Sequence, residues 1–220
     1  MNLNANFEER VMIHSDQVEW KASPMLGVDR RMLDRIGDEV ARATTIVRYA
    51  PNSKFSSHTH TGGEEFIVID GVFQDEHGDF PVGTYVRNPP TSSHTPRSDI
   101  GCTIFVKLWQ FDMEDRNQIT IDMNKEAALS DHVELFKDVR ESVSFRTWKA
   151  NEQVDLDLPK GGEFLVLEGG FSEGGDELRK HSWLRLPVGS KLDAKVGSDG
   201  AKVWMKLGHL PHAKAPTKSV

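Results

Sequence analysis

His58 and His60 stand one residue apart, Glu64 follows four positions after the second of them, and His94 lies further along the chain. In a β-strand, residues i and i+2 point to the same face, so both imidazoles of His58-Thr59-His60 can reach one point. Glu64 and His94 must then come from neighbouring strands. Three imidazoles and one carboxylate form a donor set for zinc, ferrous iron, manganese or nickel. One divalent ion per chain is expected, with zinc as the first choice. On an octahedral ion, four protein ligands leave two positions for a small molecule. No Ser-His-Asp set, nucleotide loop or paired carboxylate can be placed beside these residues, so catalytic groups are unassigned. Tyr85, Arg87 and Glu76 are the candidates for a general acid or base.

The elements that would carry these ligands read as strands. Glu64 opens the apolar run Phe66-Ile67-Val68-Ile69 after the turn Thr61-Gly62-Gly63, and His94 follows the Pro-rich turn Asn88-Pro89-Pro90-Thr91. Elsewhere, short β-branched and aromatic runs alternate with Gly, Pro and Asp-rich turns, as in a jelly-roll barrel. Pro51, His58, His60, Glu64 and Gly71 have the spacing of the first cupin motif, and Gly83, Pro89 and His94 that of the second. Pro51, Thr91 and Ser98 depart from the usual motif residues without removing a ligand.

Gly62-Gly63-Glu64-Glu65, Asp75-Glu76-His77-Gly78-Asp79 and Arg87-Asn88-Pro89-Pro90 make residues 20 to 112 resemble the cupin domain of the ChrR anti-sigma factor family. The resemblance implies a divalent metal on His58, His60, Glu64 and His94, and a sensory or regulatory role answering to a small molecule or oxidant. ChrR-like proteins hold their sigma factor through a separate N-terminal zinc module that needs a histidine and a cysteine pair. Cys102 is the sole cysteine here, so a sigma-factor partner is not supported by this chain alone. Cys102 lies in the strand-like run Gly101 to Val106 and reads as a small buried hydrophobe.

A shift of 98 positions superposes Glu65-Phe66 on Glu163-Phe164, Gly71 on Gly169 and Arg87-x-Pro89 on Arg185-x-Pro187. With one further residue inserted, Lys107-Leu108 falls on Lys206-Leu207. The fold expected is therefore all-β, with two tandem cupin-type jelly-roll barrels. The expected divisions are a metal-binding unit over 1–112, a connection over 113–138 with a short helix at most, a second unit over 139–212, and a tail over 213–220. In this register His58, His60, Glu64 and His94 fall on Leu156, Leu158, Gly162 and Leu192. Replacing the whole set avoids stranding buried polar groups, which would cost about 1–3 kcal/mol each. The second barrel should fill its centre with hydrocarbon. Glu65, unlike Glu64, keeps a counterpart in Glu163 where no histidines accompany it, which marks Glu65 as structural.

Among 220 residues, 37% are hydrophobic, enough for one large or two small cores. A net charge of −7 and a pI near 5.7 speak against a nucleic-acid surface. No apolar run approaches the roughly 18–20 residues of a membrane span, and the start carries no leader pattern. A cytoplasmic location is expected, with a small-molecule ligand or substrate and a homodimer as candidate partners. His14, His77, His132, His181, His209 and His212 read as surface or hydrogen-bonded residues. The alternative to a sensor is a dioxygenase-type or other metal-dependent cupin enzyme acting on a small enolisable substrate.

Overall fold

The computed structural model describes residues 1–38 and 40–216. It is built of antiparallel strands, with a single one-turn α-helix at Met123–Ala127 among the described residues. The chain divides into two compact units. The first is built mainly from Met1–Ala5 and Glu19–Asp122, the second from Asn6–Val18 and Met123–Ala213.

In the first unit the main sheet runs Val28–Gly37, Ala41–Tyr49, Cys102–Leu108, Glu64–Asp75, Thr84–Asn88, Ile119–Asp122. In the second it runs His132–Lys137, Ser142–Trp148, Ser190–Leu207, Gly162–Glu173, Ser182–Leu186, Val11–His14. The two orders match strand for strand, as the internal repeat requires. The last strand of each comes from an unexpected place. Val11–His14 pairs with Ser182–Leu186 of the second unit, and Ile119–Asp122 pairs with Thr84–Asn88 of the first.

The expected divisions at 112 and 139 therefore need correction. The supposed connection over 113–138 holds the strands Ile119–Asp122 and His132–Lys137, and the supposed first unit gives Asn6–Val18 to the second. Charged residues hid these strands: in His132–Lys137, exposed His132 and Glu134 alternate with buried Val133 and Leu135. Of the tail expected at 213–220, residues 217–220 lie outside the described residues.

Alternation along Glu64–Asp75 decides what the first barrel encloses. Phe66 and Val68 join Phe73, Val86, Ile104 and Val106 in its apolar core, so Glu64 starts on the core side and Glu65 points away. A bulge after Val68 resets the register: Ile104 opposes Val68 but Thr103 opposes Asp70. The second unit repeats it, with Val203 opposite Val166 and Lys202 opposite Glu168. Gly71 follows at φ 68°, where a Cβ would stand 2.1 Å from the Gly101 carbonyl oxygen. Its repeat Gly169 has φ 63° and stands 2.0 Å from the Gly200 oxygen by the same construction. Only glycine fits either place.

The far face of this strand carries a buried polar cluster that is also duplicated. Glu65 stands opposite Arg87 and Lys107, and Glu163 opposite Arg185 and Lys206. Glu65 accepts from the Tyr85 hydroxyl at 2.7 Å, whereas Glu163 accepts from Trp183 Nε1 at 3.2 Å and bonds His209 Nε2 at 2.8 Å. Arg87 pairs with Asp115 at 2.7 Å and lies 3.9 Å from the Phe111 ring centre.

Candidate metal centre

His58–Thr59 and Ser93–His94 form a two-stranded ladder in which His94 stands directly opposite His58. His60 continues the pairing, its amide donating to the Ser92 carbonyl at 2.8 Å and its carbonyl accepting from the Thr91 amide at 3.0 Å. Gly63 then turns the chain at φ 78°, and a Cβ there would meet the Phe111 ring at 2.4 Å. That turn delivers Glu64 to the same point as the histidines.

The donor atoms of His58, His60 and His94 lie within 4.8 Å of one another. His60 Nε2 is 3.2 Å from His94 Nε2, and Glu64 Oε2 is 3.2 Å from the first and 3.7 Å from the second. His60 and His94 are buried, while His58 is exposed and its ring centre stands 5.0 and 4.9 Å from theirs.

Hydrogen bonds on the other ring nitrogens settle which atoms point inward. Ser92 donates its hydroxyl to the Pro89 carbonyl at 2.6 Å, so its oxygen accepts from His60 Nδ1 at 3.0 Å. His94 Nδ1 donates to Asp75 Oδ2 at 3.2 Å, and Asp75 Oδ1 accepts from the His77 amide at 2.7 Å. With both Nδ1 protons committed, the two Nε2 atoms present lone pairs to each other and to a carboxylate. Three facing acceptors at that spacing repel unless a cation lies among them. Ligands about 2.1 Å from a metal and separated by 90–110° stand roughly 3.0–3.5 Å apart; two of the three spacings here, both 3.2 Å, lie in that range, and His94–Glu64 at 3.7 Å lies just beyond it. The residues present fit a divalent ion.

A proton is the alternative to a metal ion among these groups. Burial alone would raise the Glu64 carboxyl, but a hydrogen bond from His60 in its protonated form and the positive charge then available on His60, His94 and His58 hold it at about 2, so Glu64 is a carboxylate at any working pH. Burial pushes Asp75 up as well, and the bonds from His94 and the His77 amide outweigh it. Burial lowers His58, which favours its neutral, metal-binding form. Burial likewise opposes charging His94, but Asp75 and Glu64 pull it above the ordinary histidine value.

All four sequence candidates thus meet at one point, while the proposed acid–base residues do not. Tyr85 and Arg87 belong to the cluster on the far face of the sheet, bonded to Glu65 and Asp115. Glu76 is exposed and accepts from the Thr95 amide at 2.7 Å, just past the strand that carries His94. Sequence reading missed the supports: Asp75, Ser92, and Asn88, whose amide donates to Glu64 Oε2 at 3.3 Å and is itself bonded by Gln118. Asp75 and Asn88 lay inside the quoted motif stretches, but nothing in their spacing distinguished a support from a turn residue. Cys102 is buried as expected, and burial pushes its thiol up to about 11.

Residues 8–112 match the family model described as the ChrR cupin-like domain. None of the curated proteins matches the chain. Among solved structures, a proposed dioxygenase from Nostoc punctiforme aligns at TM-score 0.76 and 16% identity, covering 97% of this chain and 88% of its own. The bacterial pirin YhhW from Escherichia coli, solved in complex with nickel(II), aligns at TM-score 0.64 and 11% identity, over 91% of this chain and 99% of its own. A salicylate 1,2-dioxygenase from Pseudoaminobacter salicylatoxidans aligns at TM-score 0.57 and 10% identity, over 75% of this chain and 69% of its own. At such identities the likeness is one of fold.

Proposed function

We propose, from the premise that this chain is a tandem cupin whose first unit resembles the ChrR cupin domain, that the first unit holds one divalent metal ion on His58, His60, Glu64 and His94 and uses it to sense a small molecule or oxidant. The observation that carries this reading is the meeting of His60 Nε2, His94 Nε2 and Glu64 Oε2, whose lone pairs face one another when Ser92 and Asp75 take the two Nδ1 protons. A bound ion would supply a Lewis-acidic centre with coordination positions left for a small molecule.

The chain's own residues do the positioning. Asp75 fixes the His94 tautomer, Ser92 that of His60, and Asn88 orients the Glu64 carboxylate. Each of these polar groups is engaged in holding a ligand, so none is offered as a general base, which favours a sensing site over an acid–base enzyme. Exposed His58 leaves one side of the ligand set open to solvent, as a sensor requires.

That same opening favours a second reading, a metal-dependent dioxygenase acting on a small enolisable substrate. Elemental analysis of protein purified without oxygen, beside His94→Ala, tests the site and separates the readings. One zinc per chain, lost in the variant, supports the sensor. One iron, nickel or manganese, with substrate-dependent oxygen uptake, supports the enzyme. Metal absent from both proteins overturns the centre.

A further inference from the structure

The second barrel lost the metal ligands but did not become hydrocarbon throughout. A cavity of about 400 Å³ opens into the second unit, floored by Trp148, Val154, Leu156 and Met205. These four belong to, or pack against, the barrel's apolar cluster. The volume falls within the range of small-molecule pockets, roughly 300–1,000 Å³.

Arg146 also lines this cavity. It is two residues from Trp148 on Ser142–Trp148, hence on the same face, and stands directly opposite core residue Val203, so it faces the barrel interior. The corresponding residue of the first unit is Val47, opposite Ile104, and is part of that unit's apolar core. The second unit has thus placed a guanidinium where the first has a methyl-bearing side chain. Arg146 is half-buried and, among the described residues, has no hydrogen bond or ion pair. Burial draws its pKa downward, the mark of a charge short of compensation.

The rest of the lining is mixed in charge. Lys149 adds a second cationic side chain, whereas burial and the nearby Arg146 lower the pKa of His132 and favour its neutral form. Three acids stand against these two cations: Glu152 accepts from the Lys149 amide at 2.7 Å, Asp155 pairs with Lys191 at 2.9 Å, and none of the three bonds Arg146. A cation over an apolar floor that includes an indole recognises an amphipathic anion: a planar guanidinium binds a carboxylate through two parallel bonds.

We propose that the second barrel binds a small carboxylate with an aromatic or aliphatic body, its carboxylate on Arg146 and its body on Trp148, Leu156 and Met205. The site is separate from the metal centre and does not depend on it.

The test is ligand-observed fluorine NMR and calorimetry on the full chain, with 4-fluorophenylacetate and its neutral analogue 4-fluorophenylacetamide as probes. The acid should bind saturably and the amide at least about tenfold more weakly, since a neutral amide cannot replace the paired charge. Arg146→Met, which keeps the stem and removes the charge, should weaken the acid by a similar factor and leave the amide unchanged. Should Arg146→Met fail to fold, Leu156→Phe narrows the cavity from its floor and should weaken both probes. Acid and amide of equal affinity, acid binding indifferent to both variants, or no saturable binding of the acid up to the low millimolar range each overturn the proposal.

Discussion

The two barrels share a scaffold and differ in what they enclose. Strand order, the bulge after Val68 and Val166, the glycines at 71 and 169, and the buried Glu-Arg-Lys set all recur. The pairing at the ligand positions recurs too: His94 stands opposite His58, and Leu192 opposite Leu156. Yet the first unit places facing acceptors there, while Leu158 and Leu192 are fully buried in the second unit's apolar cluster. The same backbone thus closes around polar donors or around hydrocarbon. The supporting ladder shows the exchange as well: Gln153–Leu158 pairs over its whole length, whereas His58–Thr59 pairs over two residues. A chain stitched by leucines has less need of a metal clip.

Several experiments would break or sharpen this contrast. The largest effect is expected from Leu192→His, which puts an imidazole into the fully buried hydrocarbon cluster without ligand partners. The unpaired polar group should cost about 3 kcal/mol or more, read as a lowered melting temperature with no gain of metal. A second bound ion in this variant would show that one histidine suffices, and the set-wise reading would fail.

His60→Ala in the first unit should abolish stoichiometric metal while leaving the second unit's tryptophan fluorescence, from Trp148, Trp183 and Trp204, as it was. Equal metal content before and after would remove His60 from the ligand set. Asp75→Asn keeps the shape of the support but removes the charge that accepts from His94 Nδ1. Metal affinity should fall by about 10–100-fold, measured by competition with a chromophoric chelator. An unchanged affinity would place Asp75 with the turn rather than the centre.

The smallest effect concerns Cys102, the sole thiol, which reports on the first unit alone. Its thiol is held up to about 11, so below that pH it is mostly protonated, and burial blocks reagents as well. Labelling by a thiol reagent near pH 8 should be slow, faster as pH rises toward 11, and severalfold faster after chelation, because metal bound only to the folded state suppresses opening. A labelling rate indifferent to chelator would mean the ion adds nothing to the first barrel's stability.

The all-β character, the tandem repeat and the convergence of three histidines and a glutamate were legible in the sequence because each rests on spacing: a two-residue strand period, a 98-position repeat, and glycines where no side chain fits. Unit boundaries were less legible. Val11–His14 and Ile119–Asp122 are short, and which sheet edge each completes depends on hydrogen-bond partners far along the chain. Tyr85 and Arg87 were misplaced for a related reason: which face of Thr84–Asn88 meets the ligands is set by its pairing with Glu64–Asp75.

What the sequence determined by itself was the chemistry available: which donor atoms the first unit carries and that the second carries none at the same positions. Only the tertiary structure decided how those donors are held. The Nδ1 protons of His60 and His94 are directed to Ser92 and Asp75, residues brought beside them by strand pairing rather than by proximity in the chain. Arg146 became notable in the same way. Its side chain faces an apolar cavity because Ser142–Trp148 pairs with Ser190–Leu207 in one register, and a shift by one residue would have turned it to the other face.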